Sequence, residues 1–493
     1  MSFSDQMSLP NQTAGVIKTD ALIIGGGLAG LTCAVGLRDS GLKIIVLESS
    51  DSLGGRARSW IDPKTSDPID IGPHIFLSEY PNMLKLLKIL GTRDRIVWHT
   101  DQFITMVRGR SRVVMRMDPL PPPFHFVPSV MADQTISAWD KISNLKVTLY
   151  AMGMDEADVL KLDHVAALDF LRRMGVTPRY IERFWAFVSI SIMNVPVEKC
   201  SAGALLRFYR HLIGHNNYHI GFPSAGLGEM FVPQARALLE ASGVQILLKT
   251  GVKGFTGDAH SATGVELDDG RRVEARFLIS TLPPQILRRA ARGEWRRRHK
   301  VFRDLDSFHP SPYVSSYIWF ERKLTRRQFW AQQYSPRNLN CDFYDLSNIN
   351  RGWEDRPSLI ASNMIYSHRA VGMSDEEIIS STIRELAEHL PSAARARVLH
   401  SVVNRIPMAI SCPYPGIEHK RPATRSPVHG LSLAGDWTRT GIPFSMESAV
   451  RSGWLAAEQV LAEIGRPRSL ALKIKETEGL SGLIRRLAKQ FKV

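Results

Sequence analysis

Residues 20–50, DALIIGGGLAGLTCAVGLRDSGLKIIVLESS, constrain the fold more than any other stretch of the chain. An apolar run (Ala21 to Ile24) meets a glycine-rich turn, then a helix-forming segment, then a second apolar run that ends in Glu48. This is a complete βαβ unit, which requires a parallel sheet. Gly25, Gly27 and Gly30 have GxGxxG spacing directly after the strand, and Glu48 follows Gly30 by 18 residues. Gly25 permits the tight turn, Gly27 lets backbone approach a pyrophosphate, and Gly30 lets the helix pack on the sheet. Leu28 and Ala29 open the helix toward the phosphates, while Glu48, with Ser49 beside it, accepts ribose hydroxyls. The unit calls for an ADP-containing cofactor and leaves NAD and FAD undistinguished.

A second strand–turn–helix lies near the C-terminus, in LSLAGDWTRTGIPFSMESAVRSGWLAAEQVLAEIG. Leu431 to Ala434 read as a buried strand and Ser445 to Ile464 as a helix, with Gly465 and Pro467 as stop signals. The strand delivers Gly435 and Asp436 to a turn that faces a helix N-terminus. That places an acceptor for hydroxyl donors beside positive partial charge. An aspartate that caps its own turn is the simpler account of these residues alone.

At 493 residues the chain has room for two or more domains, and 44% apolar with 23% charged residues excludes a largely disordered protein. No run of 18 uncharged apolar residues and no signal-peptide core appear, and the four cysteines (Cys33, Cys200, Cys341, Cys412) form no CxxC pair. We therefore expect no membrane span, no structural metal, no disulfide framework and a reducing, cytoplasmic location. The net charge of +15 is concentrated at Arg288 to Arg303 and from Arg466 onward. Neither block lies in a recognisable nucleic-acid module, so an anionic membrane surface is the expected partner rather than nucleic acid, with a solvated face as the plain alternative.

The segment ESSDSLGGRARSW places Gly54, Gly55 and Arg56 just beyond Glu48, and PIDIGPHIF (Pro68 to Phe76) follows. Together these resemble the N-terminal signature of the flavin-dependent amine oxidase and carotenoid desaturase superfamily. The resemblance implies an α/β fold: a Rossmann-like FAD-binding domain of glutathione-reductase/amine-oxidase type with an interleaved α+β substrate domain. It implies that Arg56 reaches the pyrophosphate, that Asp436 binds the ribitol chain, and that Phe444, Ser445 and Met446 face the pyrimidine edge of the flavin. Gly55, Gly72, Pro73 and His74 would lie along the cofactor, Val252 at its adenosine end, and Thr281 and Leu282 on the way to the flavin.

The corresponding division is a polar leader (1–18), an FAD-binding domain (19–115, 225–300 and 425–465), a substrate domain (116–224 and 301–424) and a basic amphipathic tail (466–493). GPHIFLSEYPNMLKLLKILGTRDRIVWH (Gly72 to His99), with RPATRSPVHGLSLAGDWT and SMESAVRSG, resembles the plant-type and cyanobacterial phytoene and ζ-carotene desaturases, while GDWTRTGIP with ESAVRSG, and NVPVEKCSA, are at least as similar to the hydroxysqualene dehydroxylases. The implied activity is FAD-dependent oxidation–reduction of a long isoprenoid, by desaturation or dehydroxylation, with a quinone or another electron acceptor. A flavin amine oxidase, a protoporphyrinogen-oxidase-like enzyme and a non-catalytic prenyl-binding carrier are the other readings.

Cys412 lies 24 residues before Asp436 without the SGGCY-like context of covalent flavin attachment, so FAD is expected to be non-covalent. His74 is the candidate acid or base, with a backbone-bonded structural histidine as the alternative. Phe184, Trp185, Phe187 and Met193 fit either a substrate tunnel or ordinary core. DPLPPPFHFVPSVM (Asp118 to Met131) reads as a stiff, non-helical apolar segment suited to dipping into a bilayer. In the tail, Leu480, Leu483, Ile484, Leu487 and Phe491 fall on one helical face, with Arg485, Arg486, Lys489 and Lys492 toward the other sides. That pattern predicts a basic amphipathic helix lying on anionic lipid.

Overall fold

A computed structural model describes residues 15–490 apart from Asp101, Arg110, Asn216, Asn217, Glu476 and Glu478. The βαβ unit forms, with strand Val16–Ile24, helix Leu28–Leu37 and strand Ile44–Leu47; its first strand starts at Val16, inside the segment read as a polar leader, rather than at Ala21. These two strands occupy the middle of a seven-stranded sheet. Its order runs Gln245–Leu247, Ile44–Leu47, Val16–Ile24, Arg272–Ser280, Ala262–Leu267, Val252–Gly257. The strand Leu431–Leu433 pairs in parallel with the far end of Arg272–Ser280. Two chain segments some 400 residues apart thus share one sheet.

Strands covered on both faces should be apolar throughout, and Ala21 to Ile24 and Ile44 to Leu47 are all buried. The side of Ala21 and Ile23 packs against the helix Leu28–Leu37 and the closing helix Met446–Glu463, including Trp454. The side of Leu22 and Ile24 packs against Trp295, Phe302 and Trp437.

The second large sheet is mostly antiparallel, in the order Val398–Ser411, Pro310–Phe320, Leu359–Met364, Asp342–Asp345, Phe329–Gln332, Ile104–Arg108, Ser111–Met115. Residues 104–115, grouped by sequence with the cofactor segment, pair here with Phe329–Gln332 and so extend the other sheet. A helical block, from Val127–Ala132 to Ala202–Gly214, covers this sheet and supplies most of the largest apolar cluster. Trp185, Phe187 and Met193 lie inside that cluster and Phe184 packs against it, so they are core residues in this structure. Their segment is wound as π-helix at Ile181–Trp185 and Ser189–Met193.

Two readings of local structure need correction. The Pro-rich segment is helical at its end: Phe124–Phe126 forms a 3-10 turn and Val127–Ala132 an α-helix. Pro128 falls in the first helical turn, where a missing N–H costs nothing. The tail is also more than an appendage. Residues 466–475 run as a strap across the helices Met446–Glu463 and Pro81–Ile89. Glu458 accepts the N–H groups of Leu470 and Ala471 at 2.5 and 2.7 Å, and Asn82 Oδ1 accepts that of Leu472 at 2.8 Å. The helix Gly479–Gln490 then lies on Leu145–Gly153. Its single apolar stripe is divided: Ile484 packs on the large core cluster, while Leu480, Leu483 and Leu487 face outward. Phe491 and Lys492 fall outside the described residues.

Candidate active site

The glycine turn is built by steric demand at two positions. Gly25 has φ +111°, and a Cβ there would come 2.4 Å from Thr281 Oγ1; a Cβ on Gly30 would meet the Gly25 carbonyl oxygen at 1.9 Å. Gly27 differs, since a Cβ on it would meet no protein atom within 4 Å. Its lack of a side chain serves no packing need and leaves an open cradle at the start of the helix Leu28–Leu37, where Leu28 and Ala29 occupy the first turn. The second glycine pair crosses over this turn. Gly54 N–H donates to the Gly26 carbonyl at 2.9 Å, and Gly54 and Gly55 both take positive φ.

Glu48 ties these turns together. Its Oε2 accepts the Gly26 N–H at 2.8 Å, while Oε1 accepts the Ser50 N–H at 2.9 Å and the Ser49 hydroxyl at 3.3 Å. Thr250 N–H donates to the Glu48 carbonyl, which sets Val252, first residue of its strand, beside the Glu48 end of the turn.

Arg56 spans the distance to the C-terminal motif. Its Nη2 and Nη1 donate to Asp436 Oδ1 and Oδ2 at 2.8 and 3.3 Å, and Nη1 also donates to the Ala409 carbonyl. The two motifs, 380 residues apart, therefore meet in a fork-to-carboxylate pair. The turn that carries Asp436 is held from behind by Arg421, which is fully buried. Its guanidinium donates to the carbonyls of Asp436, Thr438 and Ile442 at 3.0, 3.0 and 2.7 Å. Glu418, also buried, is shared between Arg421 and Arg207. Ser445 caps the closing helix by accepting the Ser448 N–H at 3.1 Å, and Met446 is its first residue.

Gly72, Pro73 and His74 lie where this assembly meets the second sheet. The Ser315 hydroxyl donates to the Ile71 carbonyl at 2.7 Å, and Asn363 Nδ2 donates to the Pro73 carbonyl at 3.1 Å. His74 Nδ1 lies 2.6 Å from the Gly72 carbonyl. Burial, followed by the positive charge of Arg56, holds the ring below its ordinary pKa even though the carbonyl bond works the other way. The ring is therefore neutral at physiological pH, with Nδ1 as donor and Nε2 as acceptor.

Sequence reasoning missed the roles of four participants. Arg421 opens the segment RPATRSPVHGLSLAGDWT and Glu418 just precedes it, but nothing there marks a buried charge pair. Glu447, buried just inside the closing helix, accepts the N–H groups of Asn82 and Met83 at 3.0 and 2.8 Å and so caps the helix Pro81–Ile89 across space. The fourth is Asp70, whose Oδ1 accepts the Ser59 hydroxyl at 2.5 Å and the Leu227 N–H at 2.7 Å.

The family description of flavin-containing amine oxidoreductases matches residues 28–461. The chain belongs to this family. Among curated relatives, the 15-cis-phytoene desaturase of Synechococcus elongatus is 28% identical over 460 residues, spanning 89% of this chain and 95% of that protein. The chloroplastic/chromoplastic 15-cis-phytoene desaturase of Solanum lycopersicum is 27% identical, with 90% and 78% covered. A probable zeta-carotene desaturase of Synechococcus elongatus is 23% identical, with 89% and 98% covered. Among solved structures, putrescine oxidase has a TM-score of 0.67 at 16% identity, covering 91% of this chain and all of that one. A putative protoporphyrinogen oxidase from Exiguobacterium sp. has a TM-score of 0.67 at 14%, covering 91% and 99%.

These structures establish the fold that was read from the two motifs. As a flavin-containing amine oxidoreductase, the chain is a flavin-dependent oxidoreductase, similar along most of its length to carotenoid desaturases. Among the described residues, no helix is long and apolar enough to cross a membrane.

Proposed function

We propose that this flavoenzyme binds FAD non-covalently and oxidises or reduces a long isoprenoid hydrocarbon, as a phytoene-desaturase-like dehydrogenase or as a hydroxysqualene-type dehydroxylase. The observation that carries the reading is the convergence of the open Gly27 cradle, Glu48 and the Arg56–Asp436 pair along one line of the first sheet. These residues fit FAD: backbone and Arg56 for the pyrophosphate, Glu48 and Ser49 for the adenosine ribose with Val252 beside it, Asp436 for the ribitol. The residues Gly72 to His74 and the helix start at Ser445 and Met446 would border the flavin ring. Bound FAD supplies a two-electron acceptor that takes a hydride at N5.

The protein's part is to exclude water, orient an apolar chain and handle one proton, for which the neutral His74 ring offers Nε2 as one candidate acceptor. Cys412 is fully buried, and burial pushes its thiol up to about 11, which makes it a poor nucleophile for covalent attachment. All four cysteines are buried free thiols, which suits a reducing, cytoplasmic compartment.

The names of the relatives favour desaturation, with a quinone or similar acceptor to reoxidise the flavin. The fold-level likeness to amine and protoporphyrinogen oxidases carries no substrate with it. Expression in one host that makes phytoene and another that makes hydroxysqualene tests the reading. A desaturated carotene or squalene supports it, whereas unchanged isoprenoids together with hydrogen peroxide release from amines would refute it.

A water-insoluble substrate also requires access, and the surface provides a fitting feature. Met131, Trp139, Ile142 and Leu145 are 59, 71, 60 and 56% exposed. They continue through Leu120, Phe124, Val127 and Leu149 to Leu480, Leu483 and Leu487 on the helix that lies against Leu145–Gly153. Apolar exposure on this scale marks an interaction face, and Lys141, Lys146, Arg485 and Arg486 lie on the same helices. This composite face suits peripheral insertion into an anionic membrane, where each basic residue near the surface contributes about 1 kcal/mol.

A further inference from the structure

The pocket nearest His74 contains a second ionisable group with no role in cofactor binding. Its wall is formed by Pro68, Asp70, Pro73 and His74 from the hairpin and loop before the second sheet. Phe222, Pro223, Tyr344, Leu346 and Ile349 supply most of the rest, mainly with apolar side chains. Asp70 ends the second strand of a short hairpin, directly opposite Ser59 in register. The Ser59 hydroxyl donates to Asp70 Oδ1 and in turn accepts the Gly228 N–H at 2.6 Å. Glycine is needed at 226, since a Cβ there would lie 2.8 Å from Ser59 Oγ and 3.3 Å from Asp70 Oδ1. The backbone thus closes around the carboxyl while leaving it at the pocket wall.

We propose that Asp70 is a proton-transferring residue of the reaction, reaching the substrate through the pocket of about 20 Å³, room for a water, that it shares with His74. This rests on the isoprenoid reading above. In a desaturation, one carbon gives a hydride to the flavin, the C–H bond on its neighbour breaks, that bond's electron pair becomes the new double bond, and the proton passes to the Asp70 carboxylate. In a dehydroxylation, the protonated carboxyl gives its proton to the departing hydroxyl, which leaves as water, and the hydride comes from reduced flavin.

Several charged and titratable groups bear on Asp70. Glu229 follows the Gly226–Gly228 turn, Tyr317 approaches from the strand Pro310–Phe320, and His74 and Tyr344 face the same pocket. Burial dominates, with a smaller push from Glu229, against the pull of Ser59 and Leu227; the carboxyl is raised to about 7. At neutral pH it both holds and releases a proton, whereas neutral His74 is confined to accepting. Tyr344 is a poorer candidate, because its hydroxyl donates to Asp342 and burial raises its pKa well above 10.

The substitution Asp70→Asn gives a clean test, because both hydrogen bonds fall on Oδ1 and an asparagine oxygen keeps them. The FAD-loaded protein, without substrate, is titrated from about pH 5 to 9 while its flavin absorbance is followed. The wild type should show a transition near neutrality that Asp70→Asn abolishes and that His74→Gln, Glu447→Gln and Asp342→Asn, the last two removing the other carboxyls raised to about 7, all retain. Ser59→Ala should move that transition to higher pH, because the lost donor favoured the ionised form; it answers the question even if the asparagine variant does not fold. With the substrate from the expression test, anaerobic flavin reduction by Asp70→Asn should slow at least tenfold and lose its dependence on pH near neutrality.

A wild-type transition in Asp70→Asn, or no shift in Ser59→Ala, would show that Asp70 only clamps the hairpin. The titration needs no substrate, so its failure counts against Asp70, whereas unchanged phytoene and hydroxysqualene count against the substrate class.

Discussion

At the scale of single residues, the main structural fact is that Asp436 has two attachments of different character. Its backbone carbonyl is fixed by Arg421, and its carboxylate pairs with Arg56. Asp436→Ala should therefore leave the turn in place and lower FAD affinity, because a charge-assisted hydrogen bond worth about 1.5–3 kcal/mol is lost. Equilibrium dialysis of FAD at matched protein stability checks this; unchanged affinity would remove Asp436 from the cofactor. Glu48→Ala should weaken FAD by a similar factor and also loosen the Gly26 turn that its carboxylate holds.

Arg421→Met should fare worse than either, since it strands a buried Glu418 with half its positive partners at a cost of about 3–5 kcal/mol; loss of the folded protein in a thermal scan is the expected result. The residues legible from sequence were those at glycine-rich turns, where steric need leaves a fixed spacing. Arg421, Glu418 and Asp70 were not legible: Arg207 and Leu227 reach Glu418 and Asp70 from distant segments, and the near partners, Glu418 for Arg421 and Ser59 for Asp70, do not reveal burial, since a buried charge looks like a surface one in the chain.

At the scale of elements, periodicity placed the strand at Leu431 and the closing helix to within about one residue, but it began the first strand at Ala21 rather than Val16, because Val16 to Asp20 alternate between exposed and half-buried while only Ala21 to Ile24 are buried throughout. It misjudged elements that divide their faces. The helix Gly479–Gln490 looked like one apolar stripe, but Ile484 turns to the core and Leu480, Leu483 and Leu487 to the outside. The strap before it gave no periodic signal at all, since its attachments run through backbone groups to Asn82 and Glu458.

This changes how the proposed membrane face should be tested. Removing everything after Gly465 would release the strap and disturb the helices it crosses as well as the surface. Replacing Trp139, Ile142 and Leu145 together by serine leaves the strap intact. Co-sedimentation with vesicles containing anionic lipid should fall several-fold while the protein stays yellow and of unchanged size in solution. Replacing Arg485 and Arg486 by glutamine should instead reduce the preference for anionic over neutral vesicles. A smaller particle after the serine substitutions, with vesicle binding intact, would show that the face covers a second copy of the chain.

At the scale of the whole molecule, the buried ionisable groups predict how stability depends on pH. Burial raises the carboxyls of Asp70, Asp342 and Glu447 to about 7. Each binds its proton more tightly in the folded than in the unfolded chain. Their contribution is therefore fully present below the ordinary carboxyl range, near pH 4, and is lost as pH rises toward 7. The imidazoles of His125 and His211 are pushed down by burial to about 4 and 3, with Arg210 and His215 adding to the effect at His211. For them the sign is reversed. Folding keeps both rings neutral, so their contribution is present above pH 6.5 and is lost as pH falls through 6.5 toward 4 and 3.

The two sets oppose each other between pH 4 and 7. They differ at the ends: below about 4 the acids contribute nothing further and the loss at His125 is nearly complete, while that at His211 runs on toward 3, and above 7 neither set changes. Thermal unfolding of the FAD-loaded protein should show a broad plateau above pH 7, little net change down to about 4.5, and a gradual loss below about 4 that His211 sets. Replacing His211, which is almost wholly enclosed, by phenylalanine should move that acid edge to lower pH; an edge that stays in place would mean that surface carboxylates, rather than the buried rings, set the acid limit.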